Sequence, residues 1–144
     1  MNQQRPVKII MIEDDEGHAR LIERNIRRAG VNNEVEHFAS GNEALKALSG
    51  GGHLEPHHPY LVLLDLNLPD MSGVDILKHL KDDERTRAIP VIVLTTTDDS
   101  REIQRCYDLG CNVYITKPVN YESLSNAIRQ LGLFLLVMQL PEGN

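Results

Sequence analysis

Short apolar runs that stop abruptly at polar residues dictate what this chain can fold into. Tyr60-Leu61-Val62-Leu63-Leu64 stops at Asp65, and Lys8-Ile9-Ile10-Met11-Ile12 stops at Glu13-Asp14-Asp15. Val91-Ile92-Val93-Leu94 stops at Thr95-Thr96, and a weaker run, Val113-Tyr114-Ile115-Thr116, leads into Lys117-Pro118. Runs of this length and composition read as buried strands. Helix-like segments separate them, and such alternation is the signature of a parallel sheet with crossover helices. Parallel strands bring their ends to one edge, so acid, acid, hydroxyl and amine meet there. An acid directly after a buried strand is a fixed, partly shielded nucleophile or metal ligand.

The intervening segments carry helical periodicity. A first strand over about Val7 to Ile12 precedes a helix over about Glu16 to Ala29. His18, Leu21, Ile22, Asn25, Ile26 and Ala29 share one face of that helix, and Glu23, Arg24, Arg27 and Arg28 lie away from it. Gly30 is a stop signal. Glu34 to Phe38 alternates as a short second strand. Ser40 is placed to cap the next helix, with Glu43 completing a capping box. That helix ends in Gly50-Gly51-Gly52, and Pro56 and Pro59 exclude helix from the loop before the third strand. Ser72 caps a helix to about Lys81, Pro90 opens the fourth strand, and Asp99 or Ser100 starts a helix that fades at Leu109-Gly110. A last helix begins near Tyr121. Five strands thus alternate with five helices, and right-handed crossovers put helices on both faces. In such open sheets the active crevice lies beyond the carboxyl ends of the strands.

Composition bounds the function classes. The chain has 144 residues, enough for one domain with its own core, and no linker to a second domain is evident. Its formal net charge is −6 and no basic patch stands out, which argues against a nucleic-acid or anionic-membrane partner. Cys106 and Cys111 have neither metal-ligand spacing nor a disulfide framework. The amino-terminal residues lack the apolar stretch of a signal peptide. The apolar segment from Leu131 to Leu140 is shorter than the roughly 20 residues needed to span a bilayer. The cytoplasm is the expected location.

The expected site has a charge problem with a clear solution. Glu13, Asp14 and Asp65 together bring about −3 and Lys117 returns about +1, so the acids repel one another unless a cation binds. Magnesium suits oxygen donors, keeps several waters and commonly uses one or two carboxylates. Asp14 and Asp65 suit direct ligation, Glu13 ligation through water, and the backbone carbonyl of Asn67 a further neutral oxygen. With the cation bound, Asp65 can attack an electrophilic phosphorus. The oxygens of the resulting acyl phosphate need donors, which the metal, Lys117, the Thr95 hydroxyl and nearby amides supply.

The order Glu-Asp, Asp, Thr and Lys-Pro after successive strands resembles the receiver domain of two-component response regulators. The resemblance covers about Lys8 to Leu131. It implies a doubly wound, flavodoxin-like α/β fold with a five-stranded parallel sheet in the order 2-1-3-4-5. It also implies that Asp65 is the phosphoacceptor, that Glu13 and Asp14 bind magnesium, and that Thr95 and Lys117 are the phosphate-binding switch residues. Tyr114 matches the aromatic that turns inward on activation, and Asn67 and Thr97 the positions that tune phosphoaspartate lifetime. Pro118 matches the proline that follows a cis peptide. Glu13 stands where Asp is commoner, which keeps the ligand class, and Asp15 is an extra acid with no assigned ligand role. The loop from Gly50 to Pro59 and the apolar carboxyl-terminal extension resemble the small stand-alone regulators paired with phytochrome kinases.

The expectation is therefore a single receiver domain, with a core of about 7–131 and an extension over 132–144. It takes phosphate from a histidine kinase, signals through protein contacts and is not an enzyme in the usual sense. Within one class the alternative is a phosphorelay intermediate or phosphate sink, passing phosphate to a histidine phosphotransfer protein. From other classes come a phosphorylation-independent binding module and an aspartyl phosphatase. The phosphatase would want a second acid two residues after its nucleophile, where Asn67 stands. Leu133, Phe134, Leu136, Val137 and Leu140 leave the last helix apolar away from its sheet-facing side, so it is expected to form a homodimer interface. His53, His57 and His58 lack the acidic partners of a closed metal site.

Overall fold

The computed structural model describes residues 7–49, 58–117 and 120–139. Its elements are β1 (Lys8–Ile12), α1 (Glu16–Arg28), β2 (Val35–Phe38), α2 (Gly41–Leu48) and β3 (Tyr60–Asp65). Then come α3 (Gly73–Asp82), β4 (Val91–Thr95), α4 (Ser100–Leu109), β5 (Val113–Thr116) and α5 (Tyr121–Gln139). The strands form one parallel sheet in the order β2-β1-β3-β4-β5, the expected architecture.

Alternation along each strand divides the core in two. Ile10, Ile12, Val62, Leu64, Val91 and Val93 face Ala44, Ala47, Leu48, Ile76, Leu77, Leu80 and Cys106, so α2, α3 and α4 cover one face. Ile9, Met11, Leu61, Leu63, Ile92, Leu94 and Ile115 face Ala19, Ile22, Ile26, Leu124, Ala127 and Ile128, so α1 and α5 cover the other. β3 lies at the centre, buried along its whole length, which explains its nearly continuous apolar sequence.

The helix starts follow local chemistry. Asp15, Ser40, Ser72 and Asp99 each accept a backbone N–H of the helix they precede. Gly110 ends α4 at φ 110°, a left-handed conformation that suits glycine. In the box at α2 the Glu43 carboxylate meets the Ser40 hydroxyl, at 3.3 Å.

Some boundaries and one face differ from expectation. β2 begins at Val35, because Glu34 enters the sheet only through its carbonyl, which accepts from Ile9. α2 ends at Leu48 with Ser49 extended, ahead of the glycine run, which lies outside the described residues. On α1 the buried positions are Ala19, Ile22, Asn25 and Ile26, whereas Leu21 is 47% exposed. At about 100° per residue the stripe centred on Ala19, Ile22 and Ile26 turns Leu21 to solvent. Arg27, expected on the outer face, lies half-buried and donates to the carbonyls of Val31 and Asn33.

Candidate functional site

The carboxyl end of the sheet gathers the polar residues that follow the strands. Glu13 follows β1, Asp65 ends β3, Thr95 ends β4 and Lys117 follows β5. Because the strands are parallel and in register, all four groups arrive at one edge. Glu13, Asp65 and Thr95 are buried, while Asp14 is exposed at the rim.

The Lys117 ammonium lies between two of the acids. Its Nζ donates to Glu13 Oε1 at 2.8 Å and to Asp65 Oδ2 at 3.2 Å. The other Asp65 oxygen accepts from the Asn67 backbone N–H at 3.0 Å, so both oxygens of this carboxylate are held. Glu13 Oε2 accepts from the Asp15 N–H at 3.1 Å. Behind it, the His37 ring contacts the Glu13 carbonyl, tying β2 to the site. Asp15 is committed to capping α1, so its acid is a structural group.

Burial sets the electrostatics. It raises the Glu13 carboxyl above its ordinary value; the Lys117 hydrogen bond pulls the other way without cancelling the effect, and the Asp65 charge adds to it. Burial alone would lower the Lys117 ammonium. The Glu13 hydrogen bond and the charges of Asp65 and Glu13 outweigh it, and Lys117 is held above the usual lysine range.

The hydroxyl side of the site is organised by Asn67. Its side-chain amide donates to Thr95 Oγ1 at 3.3 Å and to Thr96 Oγ1 at 3.1 Å. Thr95 Oγ1 also accepts from the Thr97 N–H at 3.3 Å. Thr97 in turn accepts, on its carbonyl, the Tyr114 hydroxyl at 3.0 Å. Burial pushes the Tyr114 hydroxyl up to about 12. Thr97 and Tyr114 thus stand one step behind Thr95.

The donor set fits a hard cation. Glu13, Asp14 and Asp65 each offer a carboxylate oxygen, all within 4.8 Å of one another. Two buried acids and a third at the rim outnumber one ammonium, and oxygen donors without sulfur or imidazole favour magnesium-like ions. Pro118, the glycine run, His53 and His57 lie outside the described residues. His58 packs its ring against Tyr60, with centroids 4.9 Å apart. Among the described residues no helix is long and apolar enough to cross a membrane.

Residues 9–129 match the model of the response regulator receiver domain. This chain belongs to that family. Among curated relatives, the receiver is 38% identical to the "Probable methanogenesis regulatory protein FilR2" of Methanothrix harundinacea, over 88% of this chain and 81% of that protein. It is 31% identical to response regulator Rcp1 of Synechocystis, over 91% of this chain and 90% of Rcp1. Among solved structures, a response regulator receiver domain from Rhodospirillum rubrum shares 67% identity with a TM-score of 0.78, covering 94% of this chain and 98% of that one. The phosphorylated cyanobacterial phytochrome response regulator RcpA shares 34% with a TM-score of 0.74, covering 93% and 96%. A Mn(2+)-bound form of Rcp1 shares 29% with a TM-score of 0.72, covering 91% and 95%.

Two links at the receiver's site were not apparent in the sequence. The Asn67 side chain bridges to Thr95 and Thr96, and the His37 ring reaches the Glu13 carbonyl. Both join residues far apart in the chain and leave no periodic signal.

Proposed function

We propose that this receiver accepts a phosphoryl group from a histidine kinase onto Asp65 in a magnesium-dependent step and signals through protein contacts. The observation that carries the reading is the buried Asp65 carboxylate, held on one oxygen by Lys117 and on the other by the Asn67 N–H. That grip fixes the nucleophile before the donor arrives, so the chain contributes positioning and charge neutralisation more than covalent help.

In the reaction an Asp65 oxygen forms a bond to phosphorus as the bond to the kinase imidazole breaks, and the electron pair stays on the imidazole nitrogen. Glu13, Asp14, Asp65 and the Asn67 backbone carbonyl are the groups that would hold magnesium. The bound ion would screen charge on the transferred group. Lys117 brings an ammonium already at the acceptor. Thr95 accepts from both Asn67 and Thr97, which leaves its own proton to give to a phosphoryl oxygen. Moving Thr95 disturbs Thr97 and so the Tyr114 hydroxyl bond, which would carry the change to β5 and α4. Asn67 and Thr97, on either side of Thr95, would set how easily water reaches the phosphoaspartate.

Likeness to RcpA supports a phytochrome-type kinase as donor. A second copy of the chain, docked through α5 and its extension, is the proposed partner for assembly. A histidine phosphotransfer protein is a further candidate acceptor, and the cytoplasm the proposed location.

Intact mass after incubation with acetyl phosphate tests the core of this reading. An acid-stable, base-labile gain of about 80 Da is expected in wild type with magnesium, and neither with EDTA nor in Asp65→Asn. No gain at short times would reduce the site to a scaffold and favour a phosphorylation-independent binding module. The same assay with a phytochrome-type histidine kinase as donor tests the pairing.

A further inference from the structure

We propose that Asp70 is a positioning residue for the phosphoacceptor: it clamps the loop between β3 and α3 onto the amino end of α2. The proposal rests on the reading of Asp65 as the acceptor.

The loop closes on itself near the site. Gly73 N–H donates to the Leu66 carbonyl at 3.0 Å, and Asn67 and Ser72 face each other across an isolated antiparallel bridge. Gly73 permits this closure, because a Cβ there would stand 2.5 Å from the Asp65 carbonyl oxygen and from Leu66 Cα. One end of the loop therefore carries Asp65 and Asn67, and the other starts α3. Asp70 and Met71 form its outer tip.

That tip is fastened to another element. Asp70 Oδ1 accepts from the Gly41 N–H at 2.9 Å, and Oδ2 accepts from the Asn42 N–H at 2.8 Å. Ser40 takes the Glu43 N–H, so the first three amides of α2 are satisfied by two side chains, one of them distant in sequence. The positive end of the helix suits a carboxylate. The Gly41 and Asn42 bonds hold the Asp70 carboxyl below its usual range. Met71 packs on the same spot; a Cβ on Gly41 would lie 2.4 Å from Met71 Cγ and 2.7 Å from Sδ. α2 is itself anchored in the core through Ala44, Ala47 and Leu48.

The chain of contacts thus runs from a core helix through Asp70 to a short closed loop, and through that loop to Asn67. Asn67 is the residue that holds one Asp65 oxygen with its backbone and Thr95 with its side chain. Releasing the tip frees the loop to shift as a unit, and Asn67 shifts with it.

Amide hydrogen exchange and phosphoryl decay test this together. In Asp70→Ala, exchange at Gly41 and Asn42 is expected to rise, and exchange at Asn67 to rise about tenfold with them, through loop opening. Asp70→Asn keeps one acceptor oxygen and is expected to fall between. The phosphoaspartate lifetime in Asp70→Ala should change by about threefold or more, and that change should vanish in an Asn67→Ala background, because residues acting as one unit are not additive. Faster exchange at Gly41 and Asn42 with Asn67 unchanged would overturn the proposal and leave Asp70 a helix cap alone. So would a lifetime effect that adds in full to that of Asn67→Ala. If wild type takes no phosphate at all, the phosphoacceptor reading fails, while the exchange at Asn67 still decides whether Asp70 positions the loop.

Discussion

Glu13 carries the conflict on which the site is built. Its carboxyl is raised by burial, and the raised group has a definite sign in stability. Without metal, its favourable contribution is complete below the unfolded value and is lost as pH rises through the folded value, because ionisation is costlier in the folded chain. Magnesium at the proposed site would invert this, since it would bind the ionised carboxylates of the native state and stabilise that state by mass action. The rise in melting temperature on adding magnesium should therefore be small at acid pH and grow through a window that reaches above the ordinary glutamate value of 4.5. In Glu13→Gln the rise should shrink and the part of the window owed to Glu13 should disappear. Calorimetry with magnesium and with EDTA across that range makes the comparison. A magnesium effect that does not vary with pH would mean that Glu13 takes no part in holding the ion.

At the scale of elements, the strand ends were legible because burial imposes a short apolar run and parallel pairing imposes where it stops. Asp65, Thr95 and Lys117 were found in that way, and so was the order of the elements. The face of α1 was read less well. Leu21 is apolar but points to solvent, since periodicity alone does not say which of two adjacent apolar residues meets the sheet. Asp70 was read past entirely, because an acid in Leu-Pro-Asp-Met-Ser-Gly looks like ordinary turn chemistry and its partners are the backbone amides of a distant helix. The glycine in that turn marks a close approach of two backbone segments. Gly73→Ala would drive a Cβ to 2.5 Å from two backbone atoms, so the β3–α3 loop must move. A loss of about 1–3 kcal/mol is expected, of the size seen for overpacking. A lower urea midpoint with an unchanged slope would show it, whereas an unchanged midpoint would mean that the loop adapts freely and is not the rigid holder of Asp65 described above.

At the scale of the whole molecule, α5 is too long for the sheet that it covers. Its 19 residues span about 28 Å, while the five residues of β1 or β4 span about 17 Å. Leu124, Ala127 and Ile128 are buried and Leu131 is partly so, all in the core cluster shared with α1. Beyond Leu131 the helix continues to Gln139 through Gly132-Leu133-Phe134-Leu135-Leu136-Val137-Met138, a sequence with an apolar residue on every side. A helix of that sequence needs burial all round, more than a single packed face can give. On the proposed assembly a second copy would supply the rest through the same surface, which is the geometry of a two-fold dimer. The full chain is therefore expected to sediment as a dimer at tens of micromolar, and a chain ending at Leu131 as a folded monomer that still takes phosphate on Asp65. Phosphorylation would then shift the dimer only if the change at Thr95 and Tyr114 reaches α5 through β5. Sedimentation of both chains with and without acetyl phosphate separates these cases, and a full-length monomer under both conditions would refute the dimer.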